Sequence, residues 1–178
     1  MLKIYAECIR IKDWWNYIIP PILGFYLWGQ YQAHAMFQPS LVQSAGFILL
    51  SFSVASFGFY LNEWTDIRDD LMAGKRNRVA GLSVSWRILL FLFILLQIAA
   101  GYYLSVYSLH AGLIFAFQIL LLVLYSCPPF RLKKHLYLAP LFDALYSGTV
   151  FYLLAITVSY STFFLLPLHQ KVALCILF

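Results

Sequence analysis

The chain has 178 residues, of which 63% are hydrophobic and 11% are charged, and its mean hydropathy is +0.81. Soluble domains usually carry about 25% charged residues, so this composition excludes an ordinary soluble domain and indicates a protein whose natural solvent is lipid. The three cysteines have no metal-binding spacing, and their odd number argues against a disulfide framework.

Five segments are long and apolar enough to be spanning helices of about 20 residues. In chain order they are residues 14–30, 41–61, 88–107, 109–126 and 136–160. Residues 162–178 form a weaker sixth candidate, because Pro167 and Lys171 interrupt them. The predicted fold is therefore an all-α, polytopic transmembrane helix bundle of five to six spans, forming a single domain over residues 1–178.

Lysine and arginine are unevenly distributed around these segments. Three precede the first segment, five lie between the second and third, and three lie between the fourth and fifth, which accounts for eleven of the twelve. Because basic residues concentrate in cytoplasmic loops, the N-terminus and the loop after the second segment are predicted to be cytoplasmic. This topology also explains the net charge of +5, so we expect the lipid bilayer as a partner and no nucleic acid.

The loop after the second segment holds most of the acidic residues. Its polar face consists of Asn62, Glu63, Asp66, Asp69 and Asp70. On a continued helix, at about 100° per residue, these side chains fall within about 120° of arc, while Thr65 and Arg68 point elsewhere. Like charges at this spacing repel one another, and all-oxygen ligands suit a hard cation, so the segment predicts bound Mg²⁺.

The acidic face is followed by Gly74-Lys75-Arg76-Asn77-Arg78, which is a flexible glycine, three cations and an amide. Carboxylates that hold Mg²⁺, next to lysine and arginine that bind oxyanions, make a diphosphate site. The alternatives are a solvated loop with paired charges, and basic residues that act only as topology signals. We favour the metal site, since six of the seven carboxylates precede residue 71 and four of them lie in this stretch.

Two segments resemble a known family. The pattern Asn62-Glu63-x-x-Asp66-x-x-x-Asp70 resembles the first aspartate-rich motif of the UbiA-type intramembrane prenyltransferases, with Glu63 in place of an aspartate. The segment from Tyr125 to Lys133 is similar to the loop that follows the fourth span in that family, where a tyrosine and basic residues approach the substrate.

The resemblance assigns roles to specific residues. It implies that the Mg²⁺ ligands are Asn62, Glu63, Asp66 and Asp70, with Asp66 and Asp70 as the catalytic pair. It implies that the groups that bind the diphosphate are Lys75, Asn77, Arg78, Tyr125, Arg131 and Lys133. For Tyr125 and Lys133 the alternatives are an interfacial aromatic residue and a topology charge.

The implied activity is Mg²⁺-dependent transfer of a polyprenyl group from a prenyl diphosphate to a lipophilic, aromatic acceptor. Members of the family have about nine spanning helices, each about 20 residues long, and carry a second aspartate-rich motif after the sixth span. In this sequence Asp143 is the only carboxylate after Asp70. We therefore expect the chain to be a C-terminally incomplete version of such an enzyme, with little or no transfer activity in the 178-residue form.

Asp143 falls inside the fifth segment, and a carboxylate within a span is a functional candidate. It is predicted to line the cavity or to orient the acceptor, and the alternative is a protonated side chain bonded to Ser147 or to a nearby tyrosine. Two other functions stay open. One is a truncated or degenerate membrane protein with a structural or assembly role. The other is a CDP-alcohol phosphotransferase, which is disfavoured because Gly74 does not follow an aspartate as that signature requires.

Overall fold

The computed structural model describes residues 2–33, 41–106 and 108–159, and these contain helices, turns and loops without a β-strand. The α-helices are α1 (Leu2–Cys8), α2 (Ile11–Ala33), α3 (Leu41–Thr65), α4 (Ile67–Met72), α5 (Val84–Ser105), α6 (Leu109–Ser126), α7 (Leu138–Ala144) and α8 (Val150–Ser159). A 3₁₀ turn, Leu132–Lys134, follows α6, and a π-helical stretch, Leu145–Thr149, joins α7 to α8.

Four helices in the described part of the chain are long and apolar enough to cross a membrane. They are α3, α5, α6 and the continuous stretch Leu138–Ser159. These helices correspond to the second to fifth predicted segments, which confirms an all-helical architecture and supports a membrane location. The predicted first span, α2, is not among them. The count of five to six spans is therefore not confirmed, and residues 162–178 lie outside the described residues.

The central helix is α3, which packs along α5 and also contacts α1, α2, α4 and α6. Two glycines permit the close approach of α3 and α5. A Cβ atom on Gly101 would lie 2.6 Å from the backbone nitrogen of Leu50, and one on Gly46 would lie 2.5 Å from the Cβ of Leu104. Small residues at such crossings let the two backbones come together, which is a common way of packing helices in membranes.

The other side chains of α3 face a second group of helices. The helix α2 packs against α8, and α6 packs against both α3 and α8. Ile18 of α2, Val54 of α3, Leu122 of α6 and Phe151 of α8 line a common cavity between these helices. The arrangement encloses apolar space beside the end of α3 at which the acidic segment begins.

The chain reverses direction just beyond α3. Asp66 separates α3 from the short helix α4, and its backbone angles of φ −97° and ψ 1° interrupt the helix. After α4 the Gly74 N–H donates to Leu71 O (3.2 Å) and the Lys75 N–H donates to Asp70 O (2.8 Å). Gly74 has a φ of +67°, which glycine adopts without a steric penalty, so the glycine predicted to be flexible instead ends α4 and turns the chain back toward α3.

Candidate functional site

The polar face predicted for residues 62–70 divides into two halves that face different loops. Asn62, Asp66 and Asp69 contact basic residues of the loop after α6. Glu63 and Asp70 contact the loop that precedes α5. The division follows from helix geometry, because Glu63 and Asp70 lie together at one edge of the predicted arc and the other three lie toward the opposite edge. The five side chains therefore do not converge on one point.

Glu63 belongs to a buried ion cluster on the side of α3 that faces α1 and the start of α2. The side chain is only 6% exposed. Its Oε2 accepts the backbone N–H of Arg78 at 2.8 Å, and its Oε1 lies 3.1 Å from Nη1 of the same arginine. Arg10 approaches Oε1 at 3.7 Å, and the other terminal nitrogen of Arg78 lies 3.5 Å from Asp13. Glu63 and Arg78 thus neutralise each other within the fold.

Asn77 anchors the same loop with every polar atom of its amide. Its Nδ2 donates to the backbone oxygen of Glu63 (2.7 Å) and to Oδ2 of Asp70 (2.9 Å). Its Oδ1 accepts the backbone N–H groups of Val79 (3.0 Å) and Ala80 (2.9 Å). This set of bonds gives Asn77, which is 8% exposed, a structural role between the end of α3 and the start of α5.

Lys133 connects the other half of the polar face to the loop after α6. Its ammonium donates to Asn62 Oδ1 (3.1 Å), Thr65 Oγ1 (3.1 Å) and Asp66 Oδ2 (2.7 Å). Thr65, which the helical arc predicts to point elsewhere, is therefore part of this cluster. Burial lowers the pKa of the Lys133 ammonium below its ordinary value, and the hydrogen bond to Asp66 acts in the opposite direction.

Arg131 and Lys134 complete this cluster. Nη2 of Arg131 lies 2.5 Å from Asp66 Oδ1 and 2.9 Å from Asp69 Oδ2, and it also donates to the Thr65 carbonyl at 3.1 Å. The Lys134 ammonium lies 2.6 Å from Asp69 Oδ2, and its hydrogen bond lowers the pKa of that carboxyl group. Arg131 adopts a φ of +41°, an uncommon conformation for a residue with a side chain, which occurs where the loop brings its basic residues onto Asp66.

We call this set the mouth cluster. It comprises Asn62, Thr65, Asp66, Asp69, Arg131, Lys133 and Lys134. It contains three cations and two carboxylates, so it carries an excess of one positive charge. The excess charge attracts anions to the cluster.

The mouth cluster adjoins a cavity of about 220 Å³. Asn62 belongs to both, since it bonds Lys133 and also lines the cavity. Most of the wall is apolar, and the other polar side chains on it are Gln118, Tyr125, Asp143, Tyr146 and Ser147. The cavity therefore offers an apolar interior with a charged group of residues at one end.

Asp143 lines this cavity, and its carboxylate also bonds a nearby tyrosine, so features of both predicted settings occur together. The Tyr146 hydroxyl donates to Oδ1 of Asp143 at 2.6 Å. The Ser147 hydroxyl donates to the backbone carbonyl of Asp143 and does not bond its carboxylate. The Tyr125 ring lies against Tyr146, with 5.0 Å between the ring centroids. Two residues predicted from separate segments, Tyr125 and Asp143, thus meet on one wall.

The predicted site residues fall into three groups. Those at the mouth or on the cavity wall are Asn62, Asp66, Tyr125, Arg131, Lys133 and Asp143. Those that bond one another on the other side of α3 are Glu63, Asp70, Asn77 and Arg78. Lys75 is exposed and forms no side-chain bond with the part of the chain that the structure describes. The structure thus brings six of the predicted site residues together at the mouth and on the cavity wall.

The predicted Mg²⁺ ligands converge only in part. Within the described residues, no three His, Cys, Asp or Glu side chains come close enough together to hold a metal ion. Asn62 and Asp66 do fit a cation, because one oxygen of each already converges on the Lys133 ammonium. Glu63 faces Arg78 and does not converge with them. Mg²⁺ commonly binds through one or two carboxylates together with substrate phosphates, and here Asp66 supplies one carboxylate with the amide oxygen of Asn62 beside it.

Besides Thr65, sequence reasoning missed three residues of the site. Ser126 donates to Asn62 Oδ1 at 2.6 Å, and Lys134 binds Asp69. Gln118 lies on the cavity wall and is 1% exposed. Gln118 gave a usable signal, since an amide in the middle of an apolar span needs a polar partner. Ser126 gave none, because a serine at the end of a span is ordinary.

The fold and the site together define a helical bundle of membrane type with a charged mouth on an internal cavity. No family model, curated protein or solved structure matches the chain.

Proposed function

We propose that this chain binds a prenyl diphosphate at the mouth cluster and takes part in Mg²⁺-dependent transfer of the polyprenyl group to a lipophilic acceptor. The observation that carries the proposal is the contact of Lys133 with both Asn62 and Asp66 beside the cavity. The resemblance assigned these residues, from two loops about 70 residues apart, to one substrate site, and their contact supports that assignment.

The basic residues of the mouth supply the groups that bind the diphosphate. The ammonium of Lys133 and the guanidinium of Arg131 both donate to Asp66. Phosphate oxygens accept from the same donors, and arginine binds them with paired, charge-assisted hydrogen bonds. An incoming diphosphate would replace Asp66 as their partner, and the excess positive charge of the cluster favours this exchange.

Displacement of Lys133 would leave Asn62 Oδ1 and Asp66 Oδ2 directed at one point, where they would hold Mg²⁺. When bound, the ion would neutralise charge on the departing diphosphate. The neighbouring apolar wall, including Val54, Leu122 and Phe151, would hold the first part of the prenyl chain and exclude water from the reacting carbon. The mouth and the cavity therefore match the two ends of such an amphiphile.

A second candidate is a structural or assembly role without catalysis. The observation that favours it is that each carboxylate of the acidic segment already has a partner inside the fold. Glu63 is paired with Arg78, Asp66 with Lys133, and Asp69 with Lys134, while Asp70 accepts from Asn77. Polar networks whose carboxylates are all paired can fix a fold without binding a ligand, although Nε of Arg131 is buried here and donates no hydrogen bond within the described residues.

Binding of radiolabelled geranylgeranyl diphosphate to the purified chain in lipid nanodiscs tests the proposal. We expect saturable binding that requires Mg²⁺ and falls about 10- to 100-fold in Lys133→Met, the range for loss of one charged hydrogen-bond donor. Lys134→Met is the matched comparison, because it removes the same charge from the mouth cluster, but within the described residues its ammonium binds Asp69 and not Asn62 or Asp66, so the loss of binding should be smaller. Asp66→Asn should weaken binding of the diphosphate and make the binding that remains less dependent on Mg²⁺.

Transfer is then measured with a panel of lipophilic aromatic acceptors. Equal loss of binding in Lys133→Met and Lys134→Met would indicate non-specific attraction of an anion to a basic loop. Absence of Mg²⁺-dependent binding in the unaltered chain would exclude the prenyltransferase proposal and leave the structural role.

A further inference from the structure

A second charged pocket lies where α1 meets α2, on the side of α3 away from the mouth cluster, and we call it the N-terminal pocket. Its volume is about 260 Å³. The charged side chains on its wall are Lys3, Glu7, Arg10, Lys12, Asp13 and Arg78. Cations therefore outnumber carboxylates by four to two, and still by four to three when the buried Glu63, which contacts Arg10 and Arg78, is included.

The two arginines of this pocket are engaged to different extents. Arg78 is fully engaged, since its terminal nitrogens lie 3.1 Å from Glu63 and 3.5 Å from Asp13. Arg10 donates from Nε to Asp13 at 2.7 Å, and one of its terminal nitrogens approaches Glu63 only to 3.7 Å. Within the described residues the terminal nitrogens of Arg10 donate no hydrogen bond. A ligand that accepts from them leaves the bonds of Glu63 in place.

The two lysines of the pocket supply charge that the fold does not use. Lys3 and Lys12 are exposed, and neither forms a hydrogen bond or an ion pair with the part of the chain that the structure describes. The exposed Glu7 offsets one of these charges at most. The pocket therefore keeps unpaired positive charge at its rim, which attracts anions.

The backbone of Arg10 is held in an uncommon conformation. Its φ of +56° lies in the left-handed region, which residues with a side chain rarely adopt. The indole N–H of Trp14 donates to the buried Ile9 carbonyl at 2.6 Å, and the Asp13 N–H donates to the Arg10 carbonyl at 2.8 Å. These bonds fix the turn that carries the Arg10 guanidinium to the pocket wall. Backbone outliers of this kind cluster at sites that hold a ligand.

The helix α1 packs beside a spanning helix. The Tyr5 hydroxyl donates to Gln97 Oε1 at 2.8 Å, and the Tyr5 ring meets the edge of Phe93 with 5.4 Å between the ring centroids. Both partners lie in the interior of α5. Tyr5 is buried against α5, while Lys3 and Glu7 are exposed, which is the pattern of a helix that lies in a membrane interface. The N-terminal pocket is therefore at the boundary of the bilayer.

We propose that the N-terminal pocket binds the phosphate of an anionic phospholipid from the leaflet predicted to be cytoplasmic. The terminal nitrogens of Arg10 would donate to the phosphate oxygens, and Lys3 and Lys12 would neutralise the charge of the headgroup. Basic pockets at this side of a helix bundle are known to bind anionic headgroups. The pocket shares no residue with the mouth cluster, so lipid binding there does not depend on prenyl transfer.

An apolar part of the wall favours a lipid over a soluble phosphate. Ala6 and Ile11 line the same pocket. Trp15 is 46% exposed and follows Lys12 by almost one helical turn, so the two side chains lie on one face of α2. Tryptophan prefers the membrane interface, where its ring contacts the glycerol region of lipids. A soluble phosphate would meet the same cations and leave these apolar groups unused.

The test is native mass spectrometry of the full chain in a neutral detergent, titrated with phosphatidylglycerol or with phosphatidylcholine of the same acyl chains. We expect one molecule of phosphatidylglycerol to bind saturably, about tenfold more tightly than phosphatidylcholine. The double variant Lys3→Gln, Lys12→Gln should bind phosphatidylglycerol about 10- to 30-fold more weakly, because each basic residue near a membrane surface contributes roughly a factor of five. The fold should persist, since neither lysine bonds the described part of the chain.

The double variant Arg68→Gln, Lys75→Gln is the matched control. It removes the same charge from exposed residues on the same predicted side of the membrane, and neither residue lines the pocket. It should bind phosphatidylglycerol as the parent chain does. Equal losses in the two double variants would show non-specific attraction and overturn the proposal, as would equal binding of the two lipids by the unaltered chain.

Two further arms identify the source of the phosphate and the place where it binds. Glycerol 1-phosphate at millimolar concentration should leave the lipid bound, and complete displacement by it would assign the pocket to a soluble phosphate and overturn the choice of a lipid. Lys133→Met should leave phosphatidylglycerol binding unchanged. Loss of binding in Lys133→Met, with none in the Lys3→Gln, Lys12→Gln variant, would place the lipid at the mouth cluster and overturn the proposal.

Discussion

Asn77 provides the sharpest test of the division between the two halves of the acidic segment, because the resemblance assigns it to the diphosphate and the structure uses it as an anchor. Replacement by alanine removes four hydrogen bonds and leaves the N–H of buried Val79 without a partner. At about 1 kcal/mol for each bond, with incomplete additivity, we expect Asn77→Ala to lower the free energy of unfolding by about 2–4 kcal/mol. Lys75→Ala is the control and should change it by less than about 0.5 kcal/mol, since Lys75 is exposed.

The measurement is reversible unfolding in mixed micelles with increasing denaturing detergent, followed by tryptophan fluorescence. Asn77→Asp should fall between the two variants, because its carboxylate still accepts the N–H groups of Val79 and Ala80 but loses the donor and faces Asp70. Stability unchanged in Asn77→Ala, together with a specific loss of diphosphate binding, would refute the structural reasoning and restore Asn77 to the substrate site.

Three further predictions follow from the packing and the charges. Gly101→Ala should cost about 1–3 kcal/mol because its Cβ meets the backbone of α3, whereas Gly24→Ala, which has open space, should stabilise by about 0.5–1 kcal/mol; the same unfolding assay compares them. Because the pKa of Asp69 is lowered in the folded protein, its contribution to stability is present above its unfolded pKa of about 3.9 and is lost as the pH falls through the lower folded value. Amide exchange of Lys134 and His135 should therefore accelerate below about pH 4 in the parent protein. It should not do so in Asp69→Asn. Maleimide applied from outside cells should label Leu109→Cys and leave Lys75→Cys unlabelled if the positive-inside pattern is right, with little background from Cys8, whose pKa burial raises to about 11.

Much of the fold could be predicted because spanning helices have a strong local signal. The segment 109–126 coincides with α6, and the segments 41–61 and 88–107 differ from α3 and α5 by a few residues at their ends. The interior of Leu138–Ser159 was less predictable. The Tyr146 carbonyl in its π-helical stretch accepts a hydrogen bond from the Gln118 amide of another helix, and no local pattern encodes such a partner.

The candidate site was predictable in part of its membership and unpredictable in its pairing. The residues Asn62, Asp66, Arg131 and Lys133 could be grouped from motif resemblance, and the structure places them in contact. The sequence could not show that Glu63 pairs with Arg78, because the break at Asp66 and the turn at Gly74 determine which loop meets which edge of α3. Both features depend on tertiary packing as well as on local residues.

The two charged clusters at the end of α3 differ in a way that favours a ligand at only one of them. The cluster around Glu63 is buried and its amide partner, Asn77, has every polar atom engaged, so a ligand there would have to break bonds for which it offers no replacement. At the mouth, an anion and a cation that arrive together offer replacements for both sides of the Asp66–Lys133 pair. Either ligand alone would leave one charge of that pair without a partner, and an unpaired charge in a partly buried position has a substantial free-energy cost. Binding of Mg²⁺ and of diphosphate should therefore be mutually dependent at the mouth, and that coupling is what would distinguish a substrate site from a structural ion pair.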